Sequence, residues 1–392
     1  MSTRRALVVG GGIAGSAAAW WLHHIGWDVV LIEAGAAPHI GGFVLDLDTT
    51  AQGILREMGA AGIVERTSFS GPATVLRLTR GPRPYGVTLS GGRNRLSERV
   101  KLIEELLQHV PKEVDVRLGV RLETLEHRAE DVRARFEDGS SEAFDIVVGA
   151  DGLHSTVRDL VFTPREAVLY RNGLSLLWTT VDRHMPDANA AVVSRERTVV
   201  QAYPHPDAAK TQIVAALPTS HPITDIRPLV ERVAAVLRDE GRDLTPIAEG
   251  VEEADDALLT RFTQVRTRRW SSRRVVLIGD AAHCIDPLSG LGAHGALLGA
   301  VTLAKALQRH GDDTTAAFAS YERHVRPFVQ ARQNTTARAA EFLMRPEGSS
   351  RWATLFGGAG ELVRTLPQVL SPSGRRALAG TVDASVVHRV RS

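Results

Sequence analysis

The 392-residue chain has one cysteine, Cys284, so no internal disulfide and no cysteine-based metal cluster is possible; both suit a reducing cytoplasm. Lysine is almost missing, at only four of the 47 basic positions, and the surplus of arginine, with abundant Ala and Gly, reads as genome composition. No block of one charge occurs: 47 basic residues stand against 45 acidic ones, and no Lys/Arg run is interleaved with aromatics. That argues against a nucleic-acid or anionic-membrane surface. No segment reaches the roughly 18 apolar residues of a membrane span. Arg4-Arg5 ahead of Ala6 to Leu22 imitates a secretory signal, but a strand–turn–helix reading accounts for each glycine in it. A Ser/His/Asp order, an HExxH helix and a Walker loop are all missing, and no metal site is expected.

What is present is glycine, 35 of them, several gathered into three signatures. Gly10-Gly11-Gly12-Ile13-Ala14-Gly15 follows the apolar run Ala6–Val9. Gly149-Ala150-Asp151-Gly152 precedes Ser155 and Arg158. Gly279-Asp280-Ala281-Ala282-His283 precedes Pro287, Gly290 and Gly292. Ala6–Val9 predicts a buried strand, Ile13–Ile25 a helix and Trp27–Glu33 a second strand. Phe144–Val148 and Arg274–Ile278 are apolar runs that each enter a glycine, as strands of the same parallel sheet returning after long excursions would. The excursions at 71–95 and 165–265 are extended in pattern, for instance Thr74–Leu78, Gly86–Leu89, Ser175–Val181 and Gln212–Leu217. Leu96–Val110 predicts a helix stopped by Pro111. Val114–Phe136 alternates like a solvent-facing antiparallel sheet. From Gly290 the pattern is helical to the end.

The fold expected is therefore α/β. A Rossmann-like dinucleotide domain (1–70, 96–164 and 266–330) is interleaved with a mixed or antiparallel-sheet domain (71–95 and 165–265), followed by a C-terminal helical segment (331–392). In the first signature, Gly10 allows the tight turn, Gly12 lets a pyrophosphate approach the backbone and Gly15 lets helix pack on strand. The helix start at Ile13 and Ala14 offers unpaired N–H groups to phosphates. Glu33 ends the next strand, where a carboxylate accepts from an adenosine ribose; this suits FAD or NAD and disfavours a 2′-phosphate. Asp280 separates the two cofactors. Past a strand end, a carboxylate can bond ribityl hydroxyls, which NAD lacks. Gly290-Leu291-Gly292-Ala293-His294 is read as the opening of a helix whose positive end faces the flavin pyrimidine edge.

Together these motifs resemble the group A, single-component flavoprotein monooxygenases of the para-hydroxybenzoate hydroxylase fold, over residues 5 to 330 in order. Within that family the chain is similar to small aromatic hydroxylases and tetracycline-inactivating monooxygenases. The resemblance implies non-covalent FAD, with Asp280 on the ribityl chain and Arg99 beside the flavin. Asp151, Gly152 and Arg158 would serve FAD and NAD(P)H together. Gly41–Leu47 would flank the mobile ring, with Asp46 in reach of it; Gly279, Pro287 and Gly290–His294 would complete the cofactor site. Two positions depart from the family: His294 stands where many members have Asn, and Gly299 where many have Asp. His294 is either a packing residue at a helix start or a group over the flavin that makes reduction pH-dependent, since imidazole titrates near about pH 6.5.

The implied activity is hydroxylation of an aromatic or polycyclic small molecule through a C4a-hydroperoxyflavin, with O₂ and NAD(P)H, NADPH favoured, as co-substrates. Alternatives are a Baeyer–Villiger, epoxidising or oxidase flavoenzyme on the same fold, and a non-catalytic flavin-binding helper. A cytoplasmic monomer or homodimer is expected. No catalytic residue besides His294 is named. His283 is read as a loop-holding residue and Cys284 as a buried filler. His23-His24 is read as surface. Trp178 and Tyr203-Pro204-His205-Pro206 either line a substrate pocket or fill a sheet core.

Overall fold

A computed structural model describes residues 4–36, 44–70, 74–78, 85–89, 95–185, 190–195, 197–205, 207, 209–219, 223–240, 244–343 and 387–389. The chain divides into two compact units: 1–68, 96–170 and 263–333 form the first, and 69–95, 171–262 and 334–392 the second.

The first unit is built on β1 (Arg5–Val9), α1 (Ile13–His24), β2 (Asp28–Glu33), β3 (Val44–Leu47), α2 (Thr49–Glu57), α3 (Arg99–His109), β4 (Asp115–Leu118), β5 (Ile146–Gly149), α4 (Thr156–Val161), β6 (Val275–Leu277), α5 (Asp280–His283), α6 (Gly292–His310) and α7 (Thr314–Leu343) as far as Gln333. Strands β6, β5, β1, β2 and β4 lie side by side in that order, all parallel; the short strand Ser271–Ser272 adds antiparallel beside β6. The central strands are near-continuous apolar runs because helices cover both faces of a parallel sheet. Ala6, Leu7, Val8, Ile146, Val147, Val148, Val275, Val276 and Leu277 are all fully buried. Alanines 17, 18 and 19 of α1 and Ala300 and Ala304 of α6 are buried as well, and small side chains let these two helices approach each other and the sheet closely.

The second unit centres on an eight-stranded mixed sheet. Its order is Leu258–Thr267, Ala167–Val181, Thr211–Pro218, Thr198–Pro204, Ala190–Arg195, Thr74–Leu78, Tyr85–Leu89 and Val387–Arg389. One face packs on helices Arg227–Glu240 and Thr245–Glu253 through Val233, Ala234, Leu237, Ile247 and Val251.

The structure corrects several expectations. Arg95–Glu98 is a strand, so the helix expected from Leu96 starts only at Arg99. Asp115–Leu118 joins the parallel sheet beside β2; only Leu122–His127, Val132–Phe136 and Ser141–Phe144 form the separate antiparallel sheet. The two helices in 227–253 interrupt a stretch read as extended. The C-terminal segment is helical to Leu343, but Val387–Arg389 is a strand. It pairs antiparallel with Tyr85–Val87, where ladder bonds to an exposed sheet edge outweigh helix propensity. Gly41, Gly42 and Phe43 lie outside the described residues, as do the side chains of Tyr203, Pro204 and Pro206. Trp178 donates from Nε1 to Thr260 Oγ1 at 2.9 Å.

Candidate functional site

The three glycine signatures, far apart in sequence, leave the carboxyl ends of three adjacent strands, β1, β5 and β6. One hydrogen-bond ladder links them: Ile278 N–H donates to Gly149 O at 2.9 Å, Ala150 N–H to Val9 O at 2.8 Å and Gly10 N–H to Ile32 O at 2.8 Å. This is the edge at which open α/β sheets take ligands.

The backbone here is packed to its limit. Gly10 sits at φ +107°, and a methyl on it would fall 2.6 Å from Ala150 O. A methyl on Gly15 would lie 1.7 Å from Gly10 O. At Gly279 it would meet the Ala14 side chain at 2.8 Å, so the late signature rests directly on the start of α1. In contrast, Gly12 and Gly292 have open space where a Cβ would stand. Both adjoin helix starts without a side-chain cap, α1 behind Gly12 and α6 behind Leu291. Uncapped N–H groups and vacant room above them fit a phosphate or another electron-rich group.

Glu33 ends β2 with its carboxylate anchored. Oε2 accepts from Gly11 N–H at 2.7 Å and Oε1 from Gly35 N–H at 2.8 Å. Those bonds fix the acid beside the turn and leave lone pairs for a ribose. Asp280 opens α5 and interacts with Arg99 at the head of α3. Burial pushes the Asp280 carboxyl up, and the charge of Arg99 pulls it back; burial likewise lowers the Arg99 guanidinium, and Asp280 opposes that. Asp46 of β3 stands next to Gly290, whose Cβ would lie 3.7 Å from the Asp46 Cβ. Leu291 and Ala293 are buried at the start of α6.

Asp151 and Arg158 hold the frame. Asp151 accepts from Ser155 Oγ at 2.5 Å and Val157 N–H at 3.0 Å, which ties down the start of α4. Burial raises its carboxyl, and those donors only partly offset the rise. Gly152 follows in the left-handed region at φ +77°. Arg158 is buried and donates to the carbonyls of Ala281 and Leu153 at 3.1 and 2.9 Å, so it joins the middle signature to the late one.

Between Cys284 and Gly292 the chain is strained. Asp286, a non-glycine residue at φ +138°, precedes Pro287. Such a conformation costs about 1–3 kcal/mol and persists only when its surroundings impose it. Here they do: Asp286 Oδ1 accepts from Ser289 N–H at 2.9 Å and Oδ2 from Gln264 Nε2 at 3.1 Å. Gln333 Nε2 donates to the carbonyls of Val265 and Cys284. Neither Gln264 nor Asp286 stands in a motif of the sequence.

His283 is walled in by Trp270, 4.5 Å between ring centres, and Tyr321, whose hydroxyl lies 3.4 Å from Nε2. A Cβ on Gly299 would sit 3.6 Å from Tyr321 Oη and 3.7 Å from His283 Nε2, room for little beyond a methyl. Burial drives the His283 pKa down to about 4. Its stabilising contribution is therefore complete above the unfolded value of about 6.5 and disappears as the pH falls through 4, a loss of about 3 kcal/mol. Thermal melts of His283→Gln should show a shallower decline between those two pH values than melts of the parent; equal slopes would remove His283 as the cause. Cys284 is buried and its thiol is pushed well up, which suits a filler rather than a nucleophile.

His294, in the first turn of α6, is buried and places Nδ1 2.7 Å from Asp48 Oδ2. Sequence reading missed Asp48; its signal was an acid directly before a helix, since Oδ1 caps α2 through Ala51 N–H at 2.8 Å. His24 stacks on Trp20. Among the described residues no group of His, Cys, Asp and Glu could hold a metal ion, and no helix is long and apolar enough to cross a membrane.

Residues 3–336 match the family described as FAD binding domain. A flavin-dependent monooxygenase from Legionella longbeachae serogroup 1 (strain NSW150) is 30% identical over 371 residues, covering 88% of this chain and 92% of the relative. Among solved structures, tetracycline destructase Tet(55) superposes with a TM-score of 0.74 at 25% identity, over 94% of this chain and 96% of that one. Klebsiella pneumoniae HpxO complexed with FAD and uric acid gives 0.72 at 22% identity, over 97% and 96%. The chain thus belongs to the FAD-binding domain family and is an FAD-dependent monooxygenase of the group A fold.

Proposed function

We propose that the chain hydroxylates an aromatic or polycyclic small molecule with O₂ and NAD(P)H, NADPH favoured, the first unit holding FAD. The observation that carries the cofactor placement is the contact of Gly279 with Ala14, which sets Asp280 beside the α1 N-terminus at one sheet edge. Along that edge Glu33 would hold the adenosine ribose, Gly12, Ile13 and Ala14 the pyrophosphate, and Asp280 the ribityl chain. Arg99, Asp46 and the turn from Gly290 to His294 would face the flavin. Asp151, Gly152 and Arg158 would brace that edge, and Pro287 with Asp286 would hold the turn in register. FAD, when bound, supplies hydride acceptance and O₂ activation; the chain supplies position, dipoles and exclusion of water. The tetracycline in the name of one neighbour and the uric acid bound in another are polycyclic ring systems.

The reading is tested on a panel of polycyclic phenols. A substrate should accelerate NADPH oxidation by tenfold or more, about 1.4 kcal/mol of activation free energy, and the product should gain one oxygen atom derived from ¹⁸O₂. NADPH loss with no label in any product would point to an oxidase instead. Label placed beside a ketone would mark a Baeyer–Villiger enzyme. Ligand binding with no redox turnover would mark a helper protein.

A further inference from the structure

The buried Asp48–His294 pair has no part in the scaffold network of Asp151, Arg158 and Asp286, and it lies in the first turn of α6. Its acid has two tasks: Oδ1 caps α2 at 2.8 Å, and Oδ2 meets His294 Nδ1 at 2.7 Å. The imidazole stacks flat on Phe328, 4.5 Å between ring centres at 14°. Nδ1 is thus committed, and the opposite edge, Nε2, makes no hydrogen bond among the described residues. An imidazole bound through Nδ1–H to a carboxylate can take a second proton at Nε2 without giving up that bond. We propose, on the reading that the α6 N-terminus faces the flavin, that Asp48 and His294 form one positioning unit through which His294 takes a proton from water at Nε2 when the cofactor is reduced.

The charge balance is simple. NAD(P)H delivers two electrons and one proton as hydride and leaves as NAD(P)⁺; one negative charge is added at the flavin, and the proton at Nε2 offsets it. Asp48 stabilises the resulting imidazolium, and the positive end of α6 opposes it. Other charged or titratable groups on the packed elements include Asp46 on β3, Arg56 and Glu57 on α2, Asp280 and His283 on α5, and Arg332 on α7, whose guanidinium lies 5.3 Å from the Phe328 ring. Between Ile13 and Leu22 α1 carries none. Ionised Asp48 is favoured: burial works against it, but the hydrogen bond from His294, its charge once protonated, and the N–H groups of Ala51 and Thr50 prevail.

The test is a redox titration of the FAD-loaded protein at about pH 6 and pH 8, compared with free FAD. The parent should prefer reduced over oxidised FAD about tenfold more at pH 6 than at pH 8, beyond the change in free FAD; for a two-electron couple that is about 30 mV of midpoint potential. His294→Asn should abolish this excess. Asp48→Asn, which still caps α2, should bring it below about threefold, because the imidazolium loses its counter-charge. The inference fails if the parent shows no excess or if His294→Asn retains it. Where His294→Asn does not hold FAD, an undiminished excess in Asp48→Asn is equally decisive. A parent that binds no FAD sinks the functional reading itself, which separates the two failures.

Discussion

Asp280→Ala is expected to leave the purified protein short of FAD, with affinity reduced about ten- to a hundredfold. A hydrogen bond to a charged group contributes about 1.5–3 kcal/mol, and each 1.4 kcal/mol is a factor of ten in affinity. The loss has a second source. Arg99 is lowered by burial and held up by the charge of Asp280, so removing the carboxylate leaves the guanidinium without that opposing charge. Fold stability should change less than binding. The Asp280 side chain caps no helix, since α5 carries no side-chain cap bond, and Ala281 and Ala282 beside it are fully buried and unaltered. Titrating FAD into apoprotein, with quenching of flavin fluorescence as the readout, measures the effect. Asp280→Asn, which keeps the shape and loses the charge, should fall between parent and alanine variant. If the alanine variant binds FAD as tightly as the parent, this carboxylate does not hold the ribityl chain.

The parallel sheet was legible because a strand buried on both faces is written as an uninterrupted apolar run. Ala6–Val9, Ile146–Val148 and Val275–Ile278 each enter a glycine, which is enough to place them in one sheet. The Arg227–Glu240 helix was also written in the chain, though less openly. Val230, Val233, Ala234 and Leu237 recur at helical spacing behind Pro228, but the extended runs on both sides drew the whole stretch into a sheet reading. Asp115–Leu118 was misassigned for another reason. It is an edge strand with exposed side chains, so its alternation fits a parallel edge as well as an antiparallel ribbon. At the site, glycines and acids were legible because their chemistry is local to a turn. The Asp48–His294 contact was not, because 246 positions separate the partners and only the fold joins them. Arg158 shows the converse: its motif is plain, yet its two carbonyl acceptors are brought to it only by the fold.

Two glycines three positions apart should fail in different ways. In Gly15→Ala the new methyl would stand 1.7 Å from Gly10 O, a backbone atom that cannot swing aside. The helix must back away from β1, and the Ala17–Ala19 packing of α1 is lost with it. Overpacking of this kind costs about 3 kcal/mol or more, a large share of a typical folding free energy. The variant should melt well below the parent even without FAD, or accumulate as insoluble protein. In Gly12→Ala the methyl enters open space, with no heavy atom within 4 Å, so stability should change by no more than about 1 kcal/mol, the scale of an N-cap exchange. That open space is where a pyrophosphate would approach α1, so FAD affinity should fall about a hundredfold, equivalent to nearly 3 kcal/mol. Thermal melts of the apoproteins and FAD titrations of whichever variants stay soluble separate the two effects. A Gly12→Ala protein that folds and still binds FAD like the parent would move the pyrophosphate off this turn, whatever Gly15→Ala does.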